Sequence, residues 1–528
     1  MRRGRSAVDE GYSRRNSPSR PGEKPFGRFP RQRLNCQLSV ISCQLSAPRR
    51  RRSCQPSKTR LTEGSPLFQP RALSTDDPSG AYARPHIYSP RAVHTIVKNE
   101  KGTDMESLRY GSRGNSVRLL QLALRREGSY RGETDGEFGT RTLNAVRRFQ
   151  SARGLTPDGT AGERTWGAAE RFLTGYFKHR LKQGDSFYRL AKRYGADTEA
   201  ILAANRGFDP AELPIGEEAV IPLPFAVVPV DIPYSSALLG YIAEGLAARY
   251  PFISVETIGC SALGKPVYAF KMGRGSKEVF INAAHHANEW ITTPLVLDFV
   301  ESWAAALQRK GTVAGRSAAG LYDAVTLYSV PMVDPDGVDL VNGAVSAEGY
   351  SRALAIAEDF PGIAFPSGWK ANIEGIDLNL SYPAGWEEAR KVKFAQGFTG
   401  PAPRDYVGKA PLEAPEARAV YDFTRAHDFA LTLSYHTQGG EIYWRYGELE
   451  PEGAERIGRA MAEASGYELA DVPEGSSYAG YRDQFIEEYR RPGFTIEAGR
   501  GKNPLPLSQY DAIRQDNFPL IVTAMEMA

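Results

Sequence analysis

Cysteine is scarce in this 528-residue chain: three of its four copies (Cys36, Cys43, Cys54) sit near the front, and only Cys260 lies beyond them. The body of the chain therefore has no intramolecular disulfide to rely on, which suits a reducing compartment or an exported protein that does without cystine. No apolar run approaches the roughly 20 residues that a membrane-crossing helix needs. Neither Met1 nor Met105 opens onto a charged-then-apolar secretion signal. The expectation is a soluble protein made in the cytoplasm, whose route to any outside target is not written at its N-terminus. A Gly-x-Ser-x-Gly elbow is absent as well, so the serine-hydrolase solution of that type is excluded. Histidine is sparse, with seven in all, and four of them (His285, His286, His427, His436) fall in the second half.

Charge is present but unevenly spread. Residues 1–104 hold 21 Lys and Arg against 8 Asp and Glu, a net +13, whereas the remainder holds 45 against 54, a net −9. The front segment is rich in Arg, Ser and Pro, repeats Cys-Gln-Leu-Ser at Cys36 and Cys43, and has no sustained helical or strand period. It is expected to be disordered. A basic tail of this kind suits nucleic acid or anionic lipid, but no Met follows Met1 until Met105, where patterned sequence begins, and no nucleic-acid partner is expected. The blander reading is an upstream extension of a coding sequence that starts at Met105.

What stands out against this background is a dispersed set of four residues: His286, Glu289, His436 and Glu497. His286-x-x-Glu289 follows the strand-like run Glu278–Ala283 and puts an imidazole and a carboxylate within one backbone turn. His436 ends the apolar run Ala430–Tyr435, and Glu497 ends Gly493–Ile496. Two His and one Glu with a fourth position open is the ligand set of a catalytic zinc site. A further carboxylate then serves as general base toward water. His285 is the alternative ligand, but it lacks the His-x-x-Glu spacing. His427 falls at a predicted helix end, where a cation suits the dipole.

With these motifs in order, residues from about 230 to 528 resemble the zinc carboxypeptidases (carboxypeptidase A-like). Strand-like runs (also Val267–Lys271 and Thr326–Val330) alternate with helical ones (Thr293–Gln308, Ala414–His427, Glu455–Ala464), which argues for an α/β domain with a mixed sheet. The resemblance implies zinc held by His286, Glu289 and His436, with Glu497 as general base. It also implies that Asp377, in Gly375-Ile376-Asp377-Leu378-Asn379, orients His286, and that Lys370 polarises the scissile carbonyl. Asn288 stands between the ligands where many relatives have Arg.

One departure matters. Carboxypeptidases follow the Asn of that motif with Arg, and the pair grips the substrate's terminal carboxylate; here the pair is Asn379-Leu380. Leucine pairs with no carboxylate, so the exopeptidase anchor is lost. Leu380-Ser381-Tyr382-Pro383, Met332-Val333-Asp334-Pro335-Asp336-Gly337 and Asn503-Pro504-Leu505-Pro506 resemble the branch that cleaves γ-D-glutamyl-diaminopimelate bonds in peptidoglycan stems. Tyr478 and Tyr481 both lie near the family's mobile tyrosine, and Arg482 is a candidate for the extra carboxylate of diaminopimelate or a solvated helix charge. Two other readings stay open: a metallocarboxypeptidase with a rebuilt anchor, and a non-catalytic wall-binding scaffold.

Two small modules precede this domain. Leu-Gln, Asp-Gly-x-Phe-Gly, Phe-Gln, Asp-Gly and Thr-Trp recur between Leu108 and Phe172 with helical stretches between them. The frame resembles a three-helix peptidoglycan-binding domain. His179 to Leu223, with Gly184-Asp185-Ser186 opening a helix, resembles a βααβ LysM domain that binds N-acetylglucosamine-containing glycans, with Asp185 or Ser186 as cap. The expected layout is a tail 1–104, a peptidoglycan-binding module 105–175, a LysM module 178–224, a stiff linker 225–234 and a catalytic domain 235–528. Two glycan-linked modules on one chain imply multivalent retention on a cell or spore wall.

Overall fold

Helical periodicity in the front module matures into three packed helices, α1 (Asn115–Glu127), α2 (Thr140–Ala152) and α3 (Glu163–Thr174). The computed structural model describes residues 107–472 and 478–528, and the expectations for the basic tail lie outside that range. The repeated motif is explained by two buried glutamines that play the same role twice. Gln121 donates to Asp135 Oδ1 (2.7 Å) and Thr142 Oγ1 (3.1 Å) and accepts from Gly136 N (2.9 Å). Gln150 does the same with Asp158 (2.9 Å), Thr165 (3.2 Å) and Gly159 N (2.9 Å). Each Asp-Gly turn needs a glycine because φ is positive, 76° at Gly136 and 85° at Gly159. These residues hold the fold.

Next come β1 (Tyr176–Arg180), α4 (Phe187–Tyr194), α5 (Thr198–Ala204) and β2 (Glu218–Pro222), with the two strands paired antiparallel. Ser186 supplies the α4 cap, accepting from Arg189 N at 3.3 Å. Asp185 instead pairs with His179 at 2.8 Å.

The segment expected to be a stiff linker is no free spacer. It has no helix or strand, but Val227, Val228, Ile232 and Tyr234 are buried. The helices α6 (Ser236–Arg249) and α7 (Thr292–Gln308) follow it, and Glu301 of α7 accepts the N–H groups of Val227 and Val228, both at 2.8 Å. From the other side Arg126 of α1 donates to the carbonyls of Ala226 (2.9 Å), Val227 (2.8 Å) and Phe172 (3.0 Å). Burial pulls the Arg126 pKa down to about 10 even though Glu301 favours its charge. A side chain at Gly245 of α6 would meet Thr174 O at 2.1 Å, so α6 and α3 touch backbone to backbone. One apolar core runs from the three-helix module through the strap into the C-terminal domain, and Val prevails in the strap because it packs there.

The C-terminal domain is built on β3 (Ile253–Cys260), β4 (Pro266–Gly273), β5 (Lys277–Ala283), β8 (Val325–Val330), β9 (Phe429–His436), β10 (Glu441–Tyr443), β11 (Glu468–Ala470) and β12 (Gly493–Glu497). A two-residue hairpin pair, β6 (Thr312–Val313) and β7 (Arg316–Ser317), lies outside this sheet. The eight strands run in the order β11-β10-β12-β9-β5-β8-β4-β3. The central four (β12, β9, β5, β8) are mutually parallel, and antiparallel strands join both sides. β9 and β5 are buried almost throughout: β5 carries the apolar run Val279-Phe280-Ile281, whereas β9 alternates Leu431, Leu433 and Tyr435 with the small polar Thr432 and Ser434, which are buried as well. Among the described residues no helix is long and apolar enough to cross a membrane.

Candidate active site

Parallel pairing brings the chemistry together. β5, β9 and β12 are neighbours pointing the same way, so their carboxyl ends finish side by side. Ala284 leaves β5 with φ 51°, a turn that carries the chain to His286 and the short helical turn Ala287–Glu289. Asp334, after β8, braces this corner by donating its N–H to Ala284 O at 3.1 Å. Gly337 of the same motif lies so close that a side chain there would meet Ala287 Cβ at 2.7 Å. The Asp-Pro-Asp-Gly run is thus a support for the ligand turn.

The candidate ligand atoms of His286, Glu289 and His436 lie within 4.8 Å of one another. Glu289 Oε1 is 3.0 Å from His286 Nδ1, and Oε2 is 2.9 Å from His436 Nδ1. His286 turns its other nitrogen, Nε2, to Asp377 Oδ1 at 3.2 Å, which leaves Nδ1 for the cluster. His285, the alternative ligand, is fully buried and turns Nε2 to Tyr382 OH at 2.9 Å. It belongs to the packing beneath the site.

The electrostatics call for positive charge at the centre. Burial is the largest single influence and works to lower the His286 pKa, but Glu289 and Asp377 together lift it to about 9. Burial also works to raise Asp377, yet His286 and the Asp405 N–H hold its carboxyl below the usual range. Lys370 Nζ reaches Glu289 Oε1 at 2.9 Å. Two imidazole nitrogens and a carboxylate facing one another at these spacings fit a zinc ion. Glu497 stands beside the cluster with its pKa pushed up to about 8, first by burial and then by the Glu289 charge. A divalent cation at the cluster would offset Glu289 and bring it down again.

A cleft of about 310 Å³ opens over this cluster. His286, Lys370, Asp377, Asn379, Leu380 and Glu497 line it, as do Tyr478 and Arg482. Leu380 packs with Trp386, Val407 and Ala479 and makes an apolar stretch of wall. Asn379 accepts from Tyr481 N at 3.1 Å. Tyr481 itself is a correction to the sequence expectation: it is 1% exposed and its hydroxyl meets Thr424 Oγ1 at 2.9 Å, so it cannot touch substrate. Its ring fills the core against Phe280 and Tyr382. Arg482 is no solvated helix charge either: it is buried, ion-paired with Asp483, and its guanidinium lies 5.9 Å from the Tyr443 ring. A larger hollow of about 650 Å³ sits at the amino ends of the same strands, lined by Lys277, Asp428 and Pro492, away from the cluster.

Several site residues escaped the sequence reading. Thr437 N donates to Glu289 Oε2 at 3.3 Å, and Asn503 Nδ2 reaches Glu289 Oε1 at 3.3 Å and Thr437 O at 2.8 Å. Asn503 carried a signal, since it opens the Asn-Pro-Leu-Pro run. Lys393, Arg404 and Asp405 also line the cleft and carried none.

The zinc carboxypeptidase family profile matches residues 241–517. The chain belongs to the zinc carboxypeptidase family. It is a metallopeptidase by that membership, and its front modules match a peptidoglycan binding domain over 113–168 and a LysM domain over 179–222. The chain is 43% identical over 293 residues to gamma-D-glutamyl-L-diamino acid endopeptidase 1 of Lysinibacillus sphaericus, covering 55% of this chain and 72% of that protein. It is 39% identical to the uncharacterized protein YqgT of Bacillus subtilis (strain 168), covering 50% of this chain and 69% of the relative. The solved structure of bovine thrombin-activatable fibrinolysis inhibitor in complex with tick carboxypeptidase inhibitor aligns with a TM-score of 0.43 at 19% identity, covering 56% of this chain and 97% of that one.

Proposed function

We propose that this metallopeptidase hydrolyses γ-D-glutamyl-diaminopimelate bonds in peptidoglycan stem peptides while its two front modules hold it on the wall polymer. The observation that carries the reading is Leu380 in the cleft wall beside Asn379. An apolar residue at that point gives a chain-terminal carboxylate nothing to pair with, so substrate is free to continue past the cleaved bond. The name of the Lysinibacillus sphaericus relative and the two module matches support the same substrate class.

His286, Glu289 and His436 would hold one zinc. When bound, it supplies Lewis acidity toward water and the scissile carbonyl. Glu497 takes the proton of the attacking water and passes it to the leaving amine. Lys370 places a fixed positive charge where the carbonyl oxygen becomes an oxyanion. Asp377 holds His286 in the tautomer that keeps Nδ1 toward the cluster.

Digestion of purified muropeptides, with fragments identified by mass spectrometry, tests the reading. Tripeptide and tetrapeptide stems should be cut at the same γ-D-glutamyl bond, releasing one or two residues. Release of single C-terminal residues from ordinary α-linked peptides would replace it with a carboxypeptidase.

A further inference from the structure

We propose that Arg404 is the specificity-determining cation of this cleft, a guanidinium set to pair with a carboxylate carried by a residue flanking the scissile bond. The proposal rests on the stem-peptide reading above.

The backbone around Arg404 is stitched to the metal-site residues on both sides. Lys370 N and Ala371 N donate to Pro403 O at 2.8 and 3.0 Å. Asp405 N donates to Asp377 Oδ2 at 3.0 Å, and Asp377 N donates to Tyr406 O at 2.8 Å. Arg404 therefore moves with Lys370 and Asp377, not with a loose surface loop. Asp405 has φ 67°, a left-handed conformation that costs a non-glycine residue energy and persists only where surrounding bonds enforce it.

Side chains complete the arrangement. Asp405 accepts from Lys393 Nζ and from Arg404 Nε, each at 2.6 Å. One carboxylate serves two cations, so the trio keeps a net positive charge facing the cleft. Lys370 ends on Glu289, Lys393 on Asp405 and Arg482 on Asp483. Arg404 is held only through Nε, and its Nη1 and Nη2 have no hydrogen-bond partner among the described residues. Its side chain is 43% exposed, between the buried ion pairs and open solvent. A guanidinium pinned at Nε presents its remaining N–H groups as a rigid fork, the geometry that receives a carboxylate through two parallel bonds.

With Leu380 unable to take a terminal carboxylate, the carboxylate that meets Arg404 is one borne within the substrate. A γ-D-glutamyl-diaminopimelate stem offers two: the α-carboxylate of the glutamyl residue and the second carboxylate of the diamino acid. Three synthetic stems distinguish them: the parent, one with the glutamyl α-carboxylate as its amide, and one with lysine in place of diaminopimelate. Arg404→Gln should lower kcat/KM on the parent by about 10–100-fold, mostly through KM, as expected for a half-exposed charge pair. On one of the other two stems the loss should shrink to within about twofold. Insensitivity of the amide stem assigns the glutamyl carboxylate, and insensitivity of the lysine stem assigns the diamino acid; either supports Arg404. Arg404→Lys, which keeps the charge without the fork, should fall between wild type and Arg404→Gln on the parent. Zinc content and melting temperature of both variants should match wild type. Equal losses on all three stems, or wild-type rates for Arg404→Gln on the parent, overturn the assignment while leaving the function intact. A wild-type enzyme that cuts none of the stems overturns the stem-peptide reading and this proposal with it.

Discussion

Glu497 and His436 occupy the same rung of two adjacent parallel strands, paired directly across β12 and β9. The sheet thus fixes the distance from the proposed base to the proposed ligand by backbone hydrogen bonds, and no loop closure is needed to assemble them. Glu497→Gln preserves shape and removes only the ability to take a proton. Zinc content and melting temperature should stay at wild-type values while turnover falls about 10²–10⁴-fold, the usual cost of losing a general base. Stopped or steady-state assays on stem peptides, alongside metal analysis, check both halves; near-normal turnover would remove Glu497 from the mechanism.

His436→Ala deletes the proposed ligand that reaches Glu289 Oε2 and leaves that buried carboxylate short of a partner. Zinc content and hydrolysis should be lost together. A variant that keeps full zinc and full activity would show the ligand set to be wrong.

Leu380→Arg restores a cation to the apolar wall next to Asn379. Peptides ending one residue past the cleaved bond should gain relative to longer ones, by charge pairing with the terminal carboxylate. Competition between tripeptide and tetrapeptide stems measures the shift, and an unchanged ratio counts against the role given to this position.

Glu416 gives the fold a pH dependence of its own. It is fully buried, accepts from Ala262 N (2.9 Å) and Asn372 Nδ2 (3.1 Å), and burial lifts its pKa to about 7. Unfolded, the group ionises near 4.5. Between those values the folded state holds a proton that the unfolded state has released, so this contribution to stability is full below about pH 4.5 and is lost as pH rises to 7. The loss amounts to about 3 kcal/mol by linkage. Glu416→Gln should flatten that part of the stability-pH curve in urea titrations. An unaltered slope would show that Glu416 is not its source.

Glu301 joins the front of the chain to the catalytic domain by accepting two buried backbone N–H groups. Glu301→Ala should destabilise the protein by about 2–5 kcal/mol, since both donors lose a charged acceptor. Limited proteolysis should then cut more readily within residues 225–234, a strap anchored in the wild type by buried Val227, Val228, Ile232 and Tyr234. Unchanged urea midpoint and cleavage pattern would contradict the clamp.

The sequence was informative wherever one residue type in one spacing serves one chemical purpose. His-x-x-Glu, a strand-end His and a strand-end Glu were legible because the candidate ligands and base leave the ends of strands, and Gly-Ile-Asp-Leu-Asn was legible as a motif although it sits in a loop and a short helical turn. Strand cores were legible too: β5 carries Val279-Phe280-Ile281, and β9 sets Leu431, Leu433 and Tyr435 at every second position. The choice of Leu380 over a cation was also plain from the residue alone.

Other features depended on contacts between residues far apart in the chain. Tyr478 and Tyr481 are equivalent by spacing, and only the packing of Tyr481 against Phe280 and Tyr382 buries one of them. Arg482 and Arg404 are both single arginines beside an Asp, yet the fold buries one with its partner and pins the other at the cleft by its Nε. The strap 225–234 reads as a spacer from its Pro and Val content, because nothing local shows that Glu301 waits 73 residues away to accept its N–H groups. Residue identity determined which chemistry this chain can perform. Tertiary structure decided which of several like side chains face the substrate, because exposure and ion pairing are set by neighbours that the sequence does not place next to one another.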